Sequence, residues 1–254
     1  PDEVIIRNSF AGVNFIDTYF RTGLYPQPRA FPFTLGLEGS GAVVGLGDDV
    51  KQDASGIALL GQRVAYFRCE TGSYASFTVA KRKDVFTVPK GVSDQAAAAT
   101  ILQGTTAHYL ANSCTNVGKG DTVLIHAAAG GTGLLLSQMC AAKGATVIGT
   151  CSTEEKAKLC QEVGRVAHTV LVNGDTTTEE WVAKVRDLAG SAGGVHAVFD
   201  GVGKATFAGS MSVLRRRGDL ISFGNASGSV DPVAPLELTK HGSITLQRPS
   251  MFDF

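Results

Sequence analysis

Hydrophobic and polar positions change rhythm near Ser93. Before it, apolar residues come in short β-branched or aromatic runs: Glu3-Val-Ile-Ile-Arg7, Gly41-Ala-Val-Val-Gly45, residues 62–67 and residues 74–79. Gly, Pro and Asp punctuate them, a pattern that predicts a small β-rich barrel. Asn14 to Phe20 predicts a helical turn, which Tyr25-Pro-Gln-Pro28 breaks. From Ser93, a plausible helix cap, the spacing predicts helices over 93–100 and 105–112 as a bridge between domains. Strands are then predicted at 122–127, 146–150, 169–172, 195–200, 219–223 and 243–248. Helices fall at 133–143, 154–163, 178–189 and 204–214. This alternation predicts an α/β fold, a parallel sheet covered on both faces, with domains at 1–103 and 104–254.

The stretch from Asp121 to Ser152 carries the most information. A β-branched run, the cluster His126-Ala-Ala-Ala-Gly-Gly-Thr-Gly133, an apolar-periodic run and a second β-branched run form one βαβ unit. Ala128, Gly130 and Gly133 stand at the spacing of G-x-G-x-x-G, with alanine first. The positions serve a tight turn, close backbone approach to a pyrophosphate, and close packing of helix on strand. The helix that starts there aims its free N–H groups at the phosphates. At the end of the second strand, Gly149-Thr-Cys-Ser152 has no carboxylate to hold a ribose 2′-hydroxyl. Ser152 can cap the next helix with Glu155 completing a capping box, and Lys156 lies near the place of a 2′-phosphate. A lysine without a competing carboxylate favours NADPH.

Composition narrows the class. Lys+Arg and Asp+Glu both number 23 among 254 residues, so no large charged face is expected to bind nucleic acid or an anionic membrane. The basic run Arg215-Arg-Arg217 reads as a helix C-terminus complementing its dipole. Five cysteines without C-x-x-C spacing argue against a disulfide framework or a zinc cluster, and free thiols suit a reducing cytoplasm. No apolar run is long enough to span a bilayer, and no signal peptide opens the sequence; a removed transit segment would leave no trace.

Gly12-Val-Asn-Phe-Ile-Asp-Thr-Tyr-Phe-Arg-Thr-Gly-Leu-Tyr25 resembles the opening motif of the zinc-independent quinone oxidoreductases, the ζ-crystallin-like branch of the medium-chain dehydrogenase/reductases. His126 to Gly133 resembles that family's phosphate loop, and Ser222-Phe-Gly-Asn-Ala-Ser-Gly228 and Arg248-Pro-Ser250 resemble two later cofactor-contacting segments. The resemblance implies an incomplete GroES-like catalytic domain over 1–103, a Rossmann NADPH-binding domain over 104–254, a cleft between them, and a homodimer. It also implies a chain truncated at both ends, lacking an initial hairpin and a returning C-terminal segment. Zinc-bearing relatives place a cysteine near Asn14 and a His-Glu pair where this sequence has Leu37-Glu38; no metal is expected.

Carried over by residue, the resemblance places Asn14, Asp17, Tyr19 and Tyr25 at the nicotinamide end and substrate cleft. Gly130, Gly131, Thr132 and Gly133 would hold the pyrophosphate, and Ser152 and Lys156 the 2′-phosphate. Asn173 would stand near the adenine end, where relatives often carry an aromatic or a histidine. Phe223, Gly224 and Asn225 would flank the nicotinamide ribose, with Arg248 reaching cofactor or cleft. Ala226 replaces a more usual serine. The activity implied is NADPH-dependent reduction of a quinone. An alkenal or enone reductase is the nearby alternative, and a cofactor-binding RNA-binding or structural protein a third. His126, at a strand end, reads as structural.

Overall fold

Along Glu3–Ala11 (β1) the side chains alternate, with Val4 and Ile6 fully buried and Ile5 and Arg7 turned outward. This period of two marks a strand with one face on a core. β1 pairs antiparallel with β2 (Glu38–Leu46) and β4 (Phe77–Lys81). β3 (Arg63–Phe67) and β5 (Val85–Thr87) extend the sheet, giving the order β4-β1-β2-β3-β5. Val4, Ile6, Val43, Leu59, Val64 and Tyr66 form its core. The computed structural model describes residues 1–26, 30, 32–50, 58–190 and 193–254, in two compact units, Pro1–Gln103 and Gly104–Phe254.

In the second unit every sheet pairing is parallel. The strands are β6 (Thr122–Ile125), β7 (Thr146–Cys151), β8 (His168–Leu171), β9 (Val195–Asp200), β10 (Leu214–Ser222) and β11 (Thr245–Gln247). Their order is β11-β10-β9-β6-β7-β8, so the sequence in which strands are added reverses between β6 and β9. In open α/β sheets ligands bind at that reversal, beyond the carboxyl ends of the strands. Two apolar clusters form the unit's core. One contains Ile125, Leu136, Val147 and Phe199; the other contains Leu124, Ile148, Trp181 and Leu220. Near-continuous burial of Val123–Ile125 and Val147–Cys151 is what strands in a parallel sheet require.

The fold is the α/β pair predicted, an antiparallel GroES-like sheet and a parallel Rossmann sheet, with several local corrections. The predicted pair of helices after Ser93 is one helix, α2 (Asp94–Asn112), which the Ala-rich sequence carries through Gly104; the division between units falls inside it. Its cap is as read: the Ser93 hydroxyl accepts the Ala96 N–H at 3.1 Å. Helix α1 (Phe15–Thr22) stops at Gly23, which adopts φ 77°, upstream of the prolines; Gln27 and Pro28 lie outside the described residues. The helix predicted at 204–214 is the shorter α6 (Phe207–Val213). Arg215–Arg217 therefore sits in the bulged start of β10 rather than on a helix end. Short β5 and α7 (Pro235–Lys240) escaped the pattern.

Candidate active site

The turn from β6 into α3 (Gly131–Ala142) is built as the glycine spacing requires. Gly130 caps the helix in extended conformation, and its N–H closes a turn onto the Ala127 carbonyl at 2.9 Å. A Cβ on Gly133 would lie 2.5 Å from the Ala127 oxygen and 2.8 Å from the Ala128 Cα, so only glycine lets this helix lie so close to the turn. Gly130 and Gly131 are exposed and Thr132 half-buried at the helix N-terminus. Ala127 adopts φ 49°, and Thr150 of β7 holds it, the hydroxyl accepting the Ala127 N–H at 3.2 Å.

At the end of β7, Lys156 Nζ donates to Ser152 Oγ at 3.0 Å, so these two predicted residues form one exposed polar pair. The cap of α4 (Glu154–Glu162) is Thr153, not Ser152: its hydroxyl accepts the Lys156 N–H at 3.2 Å. That one-residue shift leaves Ser152 Oγ facing the lysine. Asn173 stands elsewhere, accepting from the Asp175 N–H and the Thr176 hydroxyl in its own exposed turn.

Phe223, Gly224 and Asn225 follow β10 directly. Arg248 Nη1 donates to the carbonyls of Ser222 (2.9 Å) and Gly224 (3.0 Å), and its Nη2 to the Asn225 amide oxygen at 3.0 Å. The guanidinium thus fixes this loop from behind. The loop also lies on Gly201, where a Cβ would meet the Phe223 ring at 2.9 Å.

In the first unit, Asn14, Asp17, Tyr19 and Tyr25 are gathered around α1. Asp17 Oδ2 accepts the Asn14 N–H at 2.9 Å, the carboxylate half of a capping box. The Tyr19 and Tyr25 rings tilt together with centroids 5.1 Å apart. Sequence reasoning missed three members of this cluster. Glu38, fully buried, accepts from Asn14 Nδ2 at 2.7 Å and from the Leu102 N–H at 2.8 Å. Gln103 donates to Asn14 Oδ1 at 3.3 Å, and the Tyr74 hydroxyl donates to Asp17 Oδ2 at 2.7 Å. Burial raises the Glu38 pKa above its ordinary value, against the lowering pull of Asn14 and Leu102. Tyr74 is also pushed up, first by desolvation and then by its bond to Asp17. Among the described residues no three His, Cys, Asp or Glu side chains converge as a metal-binding set. The five cysteines form no disulfide and are buried, and burial lifts Cys140 to about 11 and Cys160 to about 12. Nor, among those residues, is any helix long and apolar enough to cross a membrane.

Known proteins resemble the chain along its whole length. Residues 1–109 match the alcohol dehydrogenase GroES-like domain, and residues 131–253 match the zinc-binding dehydrogenase family. A probable quinone oxidoreductase of Schizosaccharomyces pombe is 38% identical across all of this chain and 72% of its own length. The crystal structure of Escherichia coli quinone oxidoreductase complexed with NADPH superposes with TM-score 0.91 at 35% identity, covering 100% of this chain and 74% of that one. A mycobacterial protein complexed with NADPH gives TM-score 0.91 at 44% identity, covering 100% and 75%. The chain belongs to the quinone oxidoreductase family of the medium-chain dehydrogenase/reductases.

Proposed function

We propose that this protein is an NADPH-dependent quinone reductase that needs no zinc, with residues 1–103 as substrate domain and 104–254 as cofactor domain. The observation that carries the reading is the end of β7: an exposed Lys156–Ser152 pair with no carboxylate on that strand end, beside a glycine turn that closes without a side chain. These residues fit a 2′-phosphorylated dinucleotide, the backbone of 130–133 holding the pyrophosphate and Lys156 with Ser152 the 2′-phosphate. When bound, the nicotinamide supplies a hydride to the substrate. The protein's part is to orient, to exclude water and to stabilise charge gathering on a carbonyl oxygen. Tyr19 and Tyr25 are the donors proposed for that oxygen, with Asn14 and Asp17 fixing their helix. Phe223, Gly224 and Asn225 are assigned to the nicotinamide side, Arg248 holding them from behind, and Asn173 to the adenine end. Glu38 is engaged by an amide and a backbone N–H, an arrangement in keeping with a site that works without metal. A cytoplasmic homodimer completes the reading; light scattering checks the dimer.

Lys156→Ala is expected to weaken NADPH binding about tenfold, the loss of one charge-assisted contact, and to leave NADH unchanged. Equal binding of both coenzymes by wild type and variant would overturn the cofactor assignment. Tyr19→Phe should lower turnover with 1,2-naphthoquinone more than it weakens NADPH binding. Unchanged stopped-flow rates would remove Tyr19 from the chemistry. Assay with an α,β-unsaturated aldehyde in parallel separates quinone from enone reduction.

A further inference from the structure

His126 directly follows β6 and Asp200 ends β9, the two strands that flank the reversal of the sheet. Both are buried, and a continuous set of hydrogen bonds joins them. The His126 ring nitrogens lie 3.0 Å from Thr150 Oγ1 (Nδ1) and 3.0 Å from Ser210 Oγ (Nε2). Ser210 Oγ also lies 2.8 Å from Asp200 Oδ2 and 2.9 Å from the Thr206 carbonyl. Those two are acceptors only, so the single Ser210 proton goes to one of them, and its oxygen must accept from His126. That assigns the proton to Nε2. Burial lowers the histidine pKa, with the Asp200 charge opposing, so the ring is neutral and Nδ1 bare. Nδ1 then accepts the Thr150 hydroxyl proton, and the Thr150 oxygen is left to accept the Ala127 N–H. On the other side, Asp200 Oδ1 accepts the Val202 and Gly203 N–H groups, both at 2.9 Å, and the Thr206 hydroxyl. The ring proton and the Thr150 hydroxyl proton thus each have one direction, and the Ser210 hydroxyl faces Asp200 and the Thr206 carbonyl.

The set therefore begins in the glycine turn at Ala127 and ends in the turn 200–206, which backs the Phe223–Asn225 loop through Gly201. We infer that His126 is a positioning residue that ties these two turns into one unit, so that loosening either side loosens the other. The inference rests on the cofactor reading only for its consequence: a dinucleotide that touches both turns meets them already in register. An ordinary buried histidine would support only its own strand end. A tie must transmit.

Two near-isosteric variants cut the set on opposite sides of the ring, Thr150→Val toward the glycine turn and Ser210→Ala toward Asp200. Amide hydrogen exchange in the unliganded protein reads both turns without any coenzyme. Thr150→Val is expected to speed exchange at the remote Val202 and Gly203 amides, and Ser210→Ala at Ala128 and Gly130. The expected acceleration is about tenfold, within the range of coupling between residues of one network. If each variant speeds only its own side, or neither side changes, the tie does not exist. NADPH titration of the same variants forms the second arm, with about tenfold weaker binding expected from either change. Wild type that binds no NADPH would sink the cofactor reading, while the exchange data would still decide the tie.

Discussion

Each unit builds a polar network, and the two are finished differently. In the second unit, Thr150, His126, Ser210, Thr206 and Asp200 all have partners, and those partners fix the tautomer of His126. In the first, Glu38, Asn14, Asp17 and Tyr74 form a cluster in which Asp17 Oδ1, although buried, has no hydrogen-bond partner among the described residues. A satisfied network rigidifies, whereas an unsatisfied one keeps free energy of interaction in reserve for something that arrives. The difference separates a network closed on itself from one with an acceptor left open, although each is built around a buried aspartate.

The contrast breaks most visibly at Asp200. Asp200→Ala would strand two backbone N–H groups and take an acceptor from two hydroxyls, and should cost about 3–5 kcal/mol in urea unfolding. A loss under 1 kcal/mol would mean the network is not fully buried in solution. The next effect is in pH. His126 titrates below its ordinary 6.5 in the folded protein, because burial disfavours the charged ring. Its contribution is thus intact above 6.5 and declines as pH falls from there toward the lower folded value, by up to about 1.4 kcal/mol per pH unit. Glu38 runs the other way. With its folded pKa raised above 4.5, its contribution is present below 4.5 and lost as pH rises through the folded value. Melting profiles against pH should show the acid-side slope flattened in His126→Phe and the opposite slope flattened in Glu38→Gln; identical profiles in variants and wild type would erase the distinction. The smallest effect belongs to the open cluster. Tyr74→Phe removes one donor from Asp17 and should cost about 1 kcal/mol. A larger cost would show that the cluster is as tightly integrated as the histidine network.

Much of the fold was legible because periodicity is local. The switch from β-branched run to glycine cluster to helix at 122–142 gave the strand, turn and helix within a residue or two. Single-residue register was harder: adjacent Ser152 and Thr153 both suit a cap, and only backbone geometry chose Thr153. The predicted break at 101–104 includes Gly104, yet about 1 kcal/mol of glycine penalty does not stop a helix supported on both sides by Ala and Thr-Ala runs. The polar networks were not legible at all. His126 meets Ser210 across 84 positions of sequence, and Tyr74 meets Asp17 across 57, separations that leave no local signal. Glu38 was read only for the metal ligands missing beside it, and its buried bond to Asn14 became visible once β2 and α1 were placed.

The sequence contains a single tryptophan, and Trp181 leans edge-on against the His126 ring, centroids 5.2 Å apart at 86°. Gly209 makes room for the indole, since a Cβ there would collide with it. Excited at the red edge of indole absorption, where tyrosine does not absorb, emission from these residues consequently comes from one fluorophore touching the imidazole beside the glycine turn. Protonation or displacement of that imidazole will alter the quantum yield, so the indole reports on the neighbouring glycine turn without a label.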